Sequence, residues 1–306
     1  MSETYPGKIM LFGEHSIACG SKALVIPYKQ KFASWEFLTT EQQKTERIQA
    51  SIQSLGQLIT YLETSPELSI LFDIQAFKSD LHTGIYFNST IPQAYGAGSS
   101  GALVAAVYKR YYKGIKPDNL RMLKQLFARI ESVFHGSSSG IDPLCCHLQQ
   151  ALKIDENGLL TTLPDILKKK PQFPINIFLI DTKLTSSTAP LVAHFKERLH
   201  HYSFFKKLQD HYIPANNQAI ESFLAGNLEV FNRQTAILSS MQQEEFAWMI
   251  PADFRAYFGP TTTEKPFTLK LCGSGGGGYL LGFTENKSAT ITYLENAKLS
   301  FHFPEF

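Results

Sequence analysis

The sequence predicts a two-domain protein of the α+β class. The chain has 306 residues, and domains of about 150 residues each are common, so two domains are expected. A composition of 43% hydrophobic and 18% charged residues is that of an ordinary soluble protein able to fill a sizeable core. Short apolar runs typical of strands occur in both halves, and long stretches with helical spacing of apolar residues separate them.

Charge and cysteine content exclude several classes of protein. The 29 basic and 27 acidic residues give a formal net charge of +2, which offers no electrostatic case for nucleic acid or an anionic membrane. No run approaches the ~20 apolar residues of a membrane span, and the N-terminus lacks the pattern of a signal peptide. The four cysteines fit neither a disulfide framework nor a zinc site. We therefore expect a cytoplasmic protein without nucleic-acid or membrane partners.

The first half of the chain predicts strands followed by helices. The expected strands cover residues 8–12, 22–27, 31–38 and 84–91. Pro27 and Pro92 are expected to end the second and fourth of them. Helical spacing appears at residues 41–62 and from Ser99 onward. The most strongly periodic helix is expected to begin at an Asp118 N-cap and to end at Gly136.

A basic, proline-bracketed stretch near residues 167–174 predicts the domain boundary, so the two domains are expected at residues 1–172 and 173–306. The second domain begins with a strong strand at residues 175–183. The later patterns predict helices at about 189–210, 214–249 and 285–297, and strands on either side of the glycine run and at 299–303.

Small side chains dominate the stretch "AYGAGSSGALVAA" at the start of the helix that follows Ser99. Its glycines match G-x-G-x-x-G, but no strand runs directly into Gly96 and a second helix follows the first, so a dinucleotide-binding unit is excluded. Free backbone N–H groups and the helix dipole at such an N-terminus favour a phosphate. A glycine-rich turn with a Ser N-cap is the purely structural alternative.

The glycine run near residue 275 gives a second match to the dinucleotide pattern, at Gly273, Gly275 and Gly278. A strand is expected after this loop, where a dinucleotide-binding fold requires a helix. No Gly-Lys-Ser/Thr follows either glycine loop, so a Walker-type phosphate loop is excluded as well.

Three motifs together resemble the GHMP kinase superfamily and, within it, the mevalonate kinases most closely. They are "PGKIMLFGEHSIACGSKAL" (Pro6–Leu24), "STIPQAYGAGSSGALVAA" (Ser89–Ala106) and "KLCGSGGGGYLLGF" (Lys270–Phe283). The segments "ESVFHGSSSGIDP" (Glu131–Pro143) and "DTKLTSSTAPLV" (Asp181–Val192) are similar to that family too. The resemblance implies a two-domain GHMP kinase fold, with an N-terminal ribosomal-protein-S5-domain-2-like domain and a C-terminal ferredoxin-like domain.

The resemblance implies an ATP-dependent kinase acting on the primary hydroxyl of mevalonate, a step in isoprenoid precursor synthesis. It makes Asp142 the general base or orienting group for the hydroxyl, and Lys8 the cation that contacts the hydroxyl and the transferring phosphate. It assigns Glu14, His15 and Thr188 to the substrate, and Thr188 alternatively to orienting Asp142.

The resemblance also implies Mg²⁺ as cofactor, held by Ser100 and Glu131. The positions that it assigns to ATP are Gly96, Ala97, Gly98, Ser99, Ser100, Gly101, Gly273, Gly275 and Gly276. Glu131 has evidence of its own, because it lies close to the apolar stripe of its predicted helix and so needs a partner. An arginine at the core edge is the alternative partner. Asp142 has an alternative role as well, since an Asp before Pro143 is a good N-cap.

Several positions depart from the family pattern and leave the acceptor open. Ala97, Gly101, Cys272 and Ser274 stand where Leu, Ala, Thr and Ala are common, and residues 239–251 do not carry the family's usual segment. The alternatives are a GHMP kinase for a phosphorylated mevalonate, a sugar or a homoserine-like alcohol, and an ATP-binding homologue without catalysis. The joint presence of Lys8, Glu131 and Asp142 disfavours the last, and the sequence leaves open whether the chain is a homodimer.

Overall fold

The structure is a computed structural model that describes residues 3–39, 45–164, 166 and 174–305. Its compact units alternate along the sequence. The first unit comprises Met1–Lys8, Pro27–Pro92 and Gly98–Gln149, and the second comprises Ile9–Ile26, Gln93–Ala97 and Gln150–Phe306. The boundary expected between residues 172 and 173 lies outside the described residues, so the limits 1–172 and 173–306 stay a prediction.

Five strands form the first sheet. They are β1 (Thr4–Phe12), β2 (Ala23–Phe37), β3 (Ile85–Ser89), β4 (Ala151–Ile154) and β5 (Leu160–Leu163). Their order is β1-β2-β4-β5, and β3 pairs antiparallel with β2. β4 and β5, which the sequence did not predict, have four residues each, too few for a clear alternation.

The strand β2 is continuous through Pro27, so the prediction of two separate strands there is wrong. Residues 23–25 of β2 pair with β4, and residues 33–37 pair with β3. Pro27 lies between these two paired stretches. Its missing N–H therefore removes no hydrogen bond from either of them.

Helices make up most of the first unit. They are α1 (Glu46–Thr64), α2 (Pro66–Ser69), α3 (Ile74–His82), α4 (Ser99–Tyr111), α5 (Leu120–His135) and α6 (Ile141–Leu148). Residues 41–44, which the sequence assigned to the first of them, lie outside the described residues. Helix α4 is buried from Gly101 to Tyr108 and packs against α5 and α6. Its alanines, which are fully buried, let these helices approach closely.

Both ends of α5 carry residues that are common at helix ends, but the N-cap lies one residue later than predicted. The Asn119 side chain, and not Asp118, accepts the hydrogen bond from the Met122 backbone N–H at 3.0 Å. Asn and Asp cap helices about equally well, so neighbouring positions of this kind compete. Gly136 ends the helix with φ +72°, as predicted.

Four antiparallel strands form the sheet of the second unit. They are β6 (Asn176–Asp181), β7 (Thr268–Leu271), β8 (Tyr279–Thr284) and β9 (Ser300–His302), in the order β7-β8-β6-β9. If the four strands are numbered 1 to 4 in chain order, their order across the sheet from the β9 edge is 4-1-3-2, which is the order of a ferredoxin-like sheet. The adjacent pairs are all antiparallel, and helices lie between the first and second strands and between the third and fourth. The ferredoxin-like expectation is confirmed.

The helices of the second unit are shorter than the sequence patterns suggested. They are α7 (Thr188–Arg198), α8 (Tyr202–Lys207), α9 (Ile213–Ala225), α10 (Leu228–Glu245) and α11 (Lys287–Asn296). A π-helical turn, Leu208–Tyr212, joins α8 to α9. Gly226, with φ +72°, ends α9, and the Asn227 side chain caps α10. Within the described residues, no helix has both the length and the apolar character that spanning a bilayer requires.

The second-unit sheet contains one position where only a glycine fits. Gly282 on β8 lies directly opposite Phe178 on β6, and a Cβ at Gly282 would sit 2.1 Å from the Phe178 ring. The ring cannot easily move, because it is fully buried against Phe267 and Phe303.

We expect Gly282→Ala to lower the free energy of unfolding by about 1–3 kcal/mol, the usual effect of overpacking a core. Thermal and urea unfolding of the purified variant measure it. Gly56→Ala is the matched control, since nothing lies within 4 Å of the added Cβ in α1 and alanine favours helix by about 1 kcal/mol. A Gly282→Ala protein as stable as the parent would contradict the assigned packing.

Candidate active site

Glycines at the start of α4 bring two charged residues of the first unit together. Gly98 is the N-cap of α4 with φ +82°, and a Cβ there would lie 2.7 Å from Cγ of Lys8. A Cβ at Gly101 would lie 2.9 Å from the carbonyl carbon of Asp142 and from the nitrogen of Pro143. The small residues therefore let strand β1 and the first turn of α6 approach the same end of α4.

Lys8 and Asp142 form an ion pair at this point, with 2.9 Å between Nζ and Oδ2. The Lys8 side chain is 4% exposed and that of Asp142 is 27% exposed. The sequence suggested an alternative role for Asp142 as the N-cap of α6, but Gly140 takes that position with φ +73°. Asp142 instead occupies the first helical turn, where the helix dipole favours a negative charge. Its carboxylate is thus held by a cation and a helix end while one edge stays exposed.

Glu131 lies one turn before the end of α5 and is buried, with 4% of its surface exposed. The Ser100 hydroxyl donates a hydrogen bond to Oε1 at 2.9 Å, and the Ser138 hydroxyl donates to Oε2. The expected need for a partner is confirmed, and Ser100 is one of the partners. Both of these partners are serine hydroxyls, and neither is the arginine that the sequence analysis gave as the alternative.

The surroundings of Glu131 shift its pKa upward. Burial, and after it the nearby Asp142 carboxylate, raise the pKa of Glu131 to about 7, while the two hydroxyl hydrogen bonds and the charge of Lys8 oppose the shift only in part. Near neutral pH the carboxyl group therefore exchanges a proton readily. A bound cation would remove the cost of the buried negative charge.

His135, which the sequence analysis did not single out, also belongs to this cluster. Its Nε2 lies 3.1 Å from the Ser100 hydroxyl, and burial lowers the pKa of its ring. The signal for it was its position four residues after Glu131, which places both on one face of α5. Ser138 had no comparable signal, because the loop that carries it has no regular period.

The donor set around Glu131 suits a magnesium ion. The described residues hold no group of three or more His, Cys, Asp and Glu side chains that could bind a metal by themselves. A carboxylate and the hydroxyls of Ser100 and Ser138 are oxygen donors, which Mg²⁺ prefers, and Mg²⁺ commonly completes its shell with water and phosphate oxygens. Glu131 and Ser100 therefore fit a shared Mg²⁺.

A second polar cluster, in the second unit, contains the predicted residues Glu14 and His15. The Glu14 carboxylate pairs with Lys270, with 2.5 Å between Oε1 and Nζ, and their side chains are 1% and 3% exposed. Glu14 Oε2 and His15 Nε2 are both buried without a hydrogen-bond partner among the described residues. Burial lowers the pKa of His15 to about 4, so its ring is neutral near pH 7. The ring donates a hydrogen bond to the backbone of Ser274, which opposes this shift in part.

Thr188, the third predicted substrate residue, is the first residue of α7. Its hydroxyl lies 3.1 Å from the hydroxyl of Ser274. Ser274 therefore contacts two of the residues predicted to bind substrate, His15 through its backbone and Thr188 through its side chain. The sequence marked Ser274 only as a departure from the family pattern. The expected role of Thr188 in orienting Asp142 stays a prediction.

The two glycine loops of the second unit pack against the protein's own backbone. A Cβ at Gly96 would lie 2.9 Å from the carbonyl oxygen of Cys272, and one at Gly273 would lie 3.2 Å from Cα of Gly96. A Cβ at Gly275 would lie 2.8 Å from the carbonyl oxygen of Met249. Crowding by the chain itself thus requires glycine at these positions, and their contacts with ATP stay a prediction.

Comparison with known proteins supports the superfamily. Residues 68–149 match the family model described as the GHMP kinases N terminal domain, a stretch that includes α4, Glu131 and Asp142. No curated protein sequence matches the chain.

Several solved structures share the fold along nearly the whole chain. Mevalonate kinase of L. major, solved in complex with R-mevalonate, is 18% identical with a TM-score of 0.63, covering 99% of this chain and 96% of that one. Streptococcus pneumoniae phosphomevalonate kinase is 14% identical with a TM-score of 0.63, covering 99% and 98%. Lactococcus lactis galactokinase, solved with galactose, is 14% identical with a TM-score of 0.60, covering 99% and 92%.

Identities this low show a shared fold and do not distinguish one acceptor from another. The family match is independent of them, and it covers the segment in which the glycine loop, Glu131 and Asp142 come together. Residues 68–149 accordingly match the N-terminal domain of the GHMP kinases, and the chain has the fold that mevalonate kinases also have.

Proposed function

We propose that the protein is an ATP- and Mg²⁺-dependent kinase that transfers the γ-phosphoryl group of ATP to the primary hydroxyl of mevalonate. The observation that carries the proposal is the Lys8–Asp142 ion pair, which Gly98 and Gly101 admit to the first turn of α4. A buried cation and a partly exposed carboxylate beside a helix N-terminus are groups that phosphoryl transfer uses. With mevalonate as acceptor, the reaction is a step of cytoplasmic isoprenoid precursor synthesis.

We assign the phosphates of ATP to the N-terminus of α4. Gly98 caps this helix without a side chain, so no cap side chain competes for the N–H groups of the first turn. Those groups and the helix dipole attract anionic oxygens. The proposed ATP-binding residues are Gly96, Ala97, Gly98, Ser99, Ser100 and Gly101, together with Gly273, Gly275 and Gly276.

Ser100 and Glu131 would hold Mg²⁺. The support is a buried carboxylate that has two hydroxyl partners and whose pKa burial, and after it the Asp142 carboxylate, raise to about 7. When bound, the ion would neutralise negative charge on the phosphate oxygens. The two protein oxygens leave the remaining positions of the shell to water and phosphate.

Asp142 and Lys8 would carry out the chemistry. The hydroxyl oxygen of the acceptor forms a bond to the γ-phosphorus, the bond from that phosphorus to the β–γ bridging oxygen breaks, and ADP leaves. The Asp142 carboxylate takes the hydroxyl proton. The ammonium group of Lys8 stabilises negative charge on the attacking oxygen and on the transferred group, and it also fixes the carboxylate through the 2.9 Å ion pair.

Glu14, His15 and Thr188 would bind the acceptor alcohol. Within the described part of the chain, Glu14 Oε2 and His15 Nε2 are buried atoms without hydrogen-bond partners, and each such atom costs about 1–3 kcal/mol until a partner satisfies it. A carboxylate oxygen and the unprotonated nitrogen of a neutral imidazole accept hydrogen bonds. Their natural partner is a ligand that presents O–H groups, which supports an alcohol as the second substrate.

We expect Mg·ATP and mevalonate to give ADP and 5-phosphomevalonate. The test is a panel of acceptors that contains mevalonate, phosphomevalonate, galactose and homoserine, with ADP release and product mass as readouts. Turnover of another member with mevalonate inert would overturn the acceptor and keep the kinase. A chain that binds ATP and phosphorylates none of them would be a non-catalytic homologue.

We expect Asp142→Asn to lower kcat by about 10²–10⁴, because the amide cannot accept the hydroxyl proton. The helix should still begin at Ile141, since Gly140 is the cap. Asn leaves Lys8 without its ion-pair partner, so the melting temperature should fall. Activity is therefore measured well below it, and ATP binding by calorimetry serves as the check on folding.

The double variant Lys8→Met/Asp142→Asn separates charge from chemistry. It removes both charges of the pair, so it should regain part of the stability that Asp142→Asn loses and should stay inactive. If Asp142→Asn turned over at the parental rate, Asp142 would be a structural residue only.

We expect Ser100→Ala and Glu131→Gln each to raise the Mg²⁺ concentration for half-maximal rate, by at least tenfold for Glu131→Gln, because both remove an oxygen ligand of the same ion. A titration of initial rate against free Mg²⁺ at saturating ATP measures it. Unchanged Mg²⁺ dependence in both variants would remove these residues from the metal site.

The pH dependence provides the internal control for this metal site. Below a pKa of about 7 the Glu131 carboxyl group is protonated in the metal-free protein, so protons compete with Mg²⁺ and the half-saturating Mg²⁺ concentration should rise as the pH falls from 7.5 to 6. Glu131→Gln has no proton to lose at this position. Its Mg²⁺ dependence should change less over the same range.

A further inference from the structure

Gln242 joins three parts of the second unit through a single amide group. The side chain is fully buried in α10. Its Nε2 donates to the Tyr212 hydroxyl at 2.7 Å and to Glu14 Oε1 at 3.3 Å, and its Oε1 accepts from the Leu271 backbone N–H at 2.8 Å. Both ends of the amide are therefore satisfied, which is the condition for burying it at little cost.

The position of Gln242 in its helix makes a polar residue unexpected. It lies four residues after Leu238 and eleven after Phe231, both fully buried, so it continues the apolar stripe of α10. An apolar side chain would fill such a position without the need for three matched partners. The residue also falls within 239–251, where the sequence departs from the family pattern.

One effect of Gln242 is on the edge of the sheet. In the described part of the chain, β7 lies at the edge of its sheet and pairs with β8 alone. The Leu271 N–H on this strand bonds to the Gln242 amide and not to another strand. Gln242 thus ties α10 to the strand that also carries Lys270, the ion-pair partner of Glu14.

A second effect of Gln242 is on the orientation of Glu14. Lys270 and Gln242 both bond to Oε1 of this carboxylate, so its plane is constrained from two directions. Oε2 is left buried and finds no hydrogen-bond partner among the residues that the structure describes, and the same holds for Nε2 of the next residue, His15. The direction in which Glu14 can accept a hydrogen bond from a ligand is thereby set.

Tyr212 completes the arrangement from the π-helical turn between α8 and α9. Its ring is fully buried and lies 5.1 Å from the ring of Phe246, and its oxygen accepts the shorter of the two Gln242 bonds. The wide turn is an interruption of regular helix, and such turns are frequent at functional sites. Tyr212 therefore orients the Gln242 amide toward Glu14.

We infer that Gln242 and Tyr212 are positioning residues that set how the acceptor alcohol binds, by holding Glu14 with its free oxygen turned toward an O–H group of that alcohol. The inference rests on the proposed function, since it assumes that Glu14 and His15 bind the acceptor. Gln242 and Tyr212 touch neither ATP nor the reacting atoms in this assignment. Their loss should therefore weaken acceptor binding and leave ATP binding and the rate at saturation nearly intact.

Steady-state kinetics with mevalonate and Mg·ATP test the inference in three variants. Tyr212→Phe removes only the hydroxyl, and Gln242→Met replaces the amide by an apolar chain of similar size. Thr235→Val is the control, because it also removes a buried hydroxyl, in this case one on α10. The Thr235 hydroxyl bonds only within its own helix among the described residues, at 3.0 Å to the Phe231 carbonyl and 3.1 Å to that of Asn232.

We expect KM for mevalonate to rise about three- to tenfold in Tyr212→Phe and more than tenfold in Gln242→Met, with kcat and KM for ATP within twofold of the parent. Thr235→Val should keep all three parameters. Tyr212→Phe alone decides the matter if Gln242→Met fails to fold, since it deletes a single oxygen. An equal rise of KM for mevalonate in all three variants, or an unchanged KM for mevalonate in Tyr212→Phe, overturns the inference and leaves the kinase assignment standing. A parent enzyme that phosphorylates no alcohol overturns the proposed function and the inference with it.

Discussion

The charged site of the first unit depends on the close contact between α4 and the first turn of α6 at Gly101. No side chain fits there, since even a Cβ would lie 2.9 Å from the Asp142 backbone, and Gly98 imposes the same limit on Lys8. With both glycines in place, Lys8 and Asp142 meet at 2.9 Å beside a helix N-terminus whose N–H groups no cap side chain occupies. The sequence suggested that the small residues of this stretch make room for phosphate. In the structure they make room for the protein's own cation and carboxylate, Lys8 and Asp142.

The two units satisfy their buried charges differently, and what remains unsatisfied indicates what each would bind. In the first unit Lys8 balances Asp142, whereas Glu131 accepts hydrogen bonds from two hydroxyls and burial raises its pKa. That carboxylate calls for a cation. In the second unit Glu14 is balanced by Lys270, and among the described residues its Oε2 and the Nε2 of His15 lack a hydrogen-bond donor. A metal–phosphate group would meet the first requirement and an alcohol the second, and these are the two ligands that the proposed function requires.

Much of this fold could be predicted from local sequence patterns, whereas contacts between residues far apart in the chain could not. The periodic helix α5, the antiparallel order of the second sheet implied by the family resemblance, and the burial of Glu131 were all predicted. The strand break at Pro27 was wrong because the need for an N–H at that point depends on which strands pair there. The alternative role of Asp142 as an N-cap was based on Pro143 following it, but Gly140, two residues earlier, is the N-cap. His135 could have been found from its position one turn after Glu131. Gln242 stands out in the sequence only as a polar residue on an apolar stripe, and its role depends on partners that the sequence does not show.

The alternation of the two units along the chain limits how the protein can be divided. Strand β1 passes from the first unit to the second between Lys8 and Ile9, and the second unit takes in residues on both sides of α4. Any single cleavage therefore leaves parts of both units on at least one fragment. A fragment ending near residue 172 would lack β7, β8 and most of the aromatic residues that contact Phe12, including Phe231 and Phe283. Neither unit can be obtained whole from one uninterrupted segment, so the chain is poorly suited to split reporters or to domain exchange at a single junction.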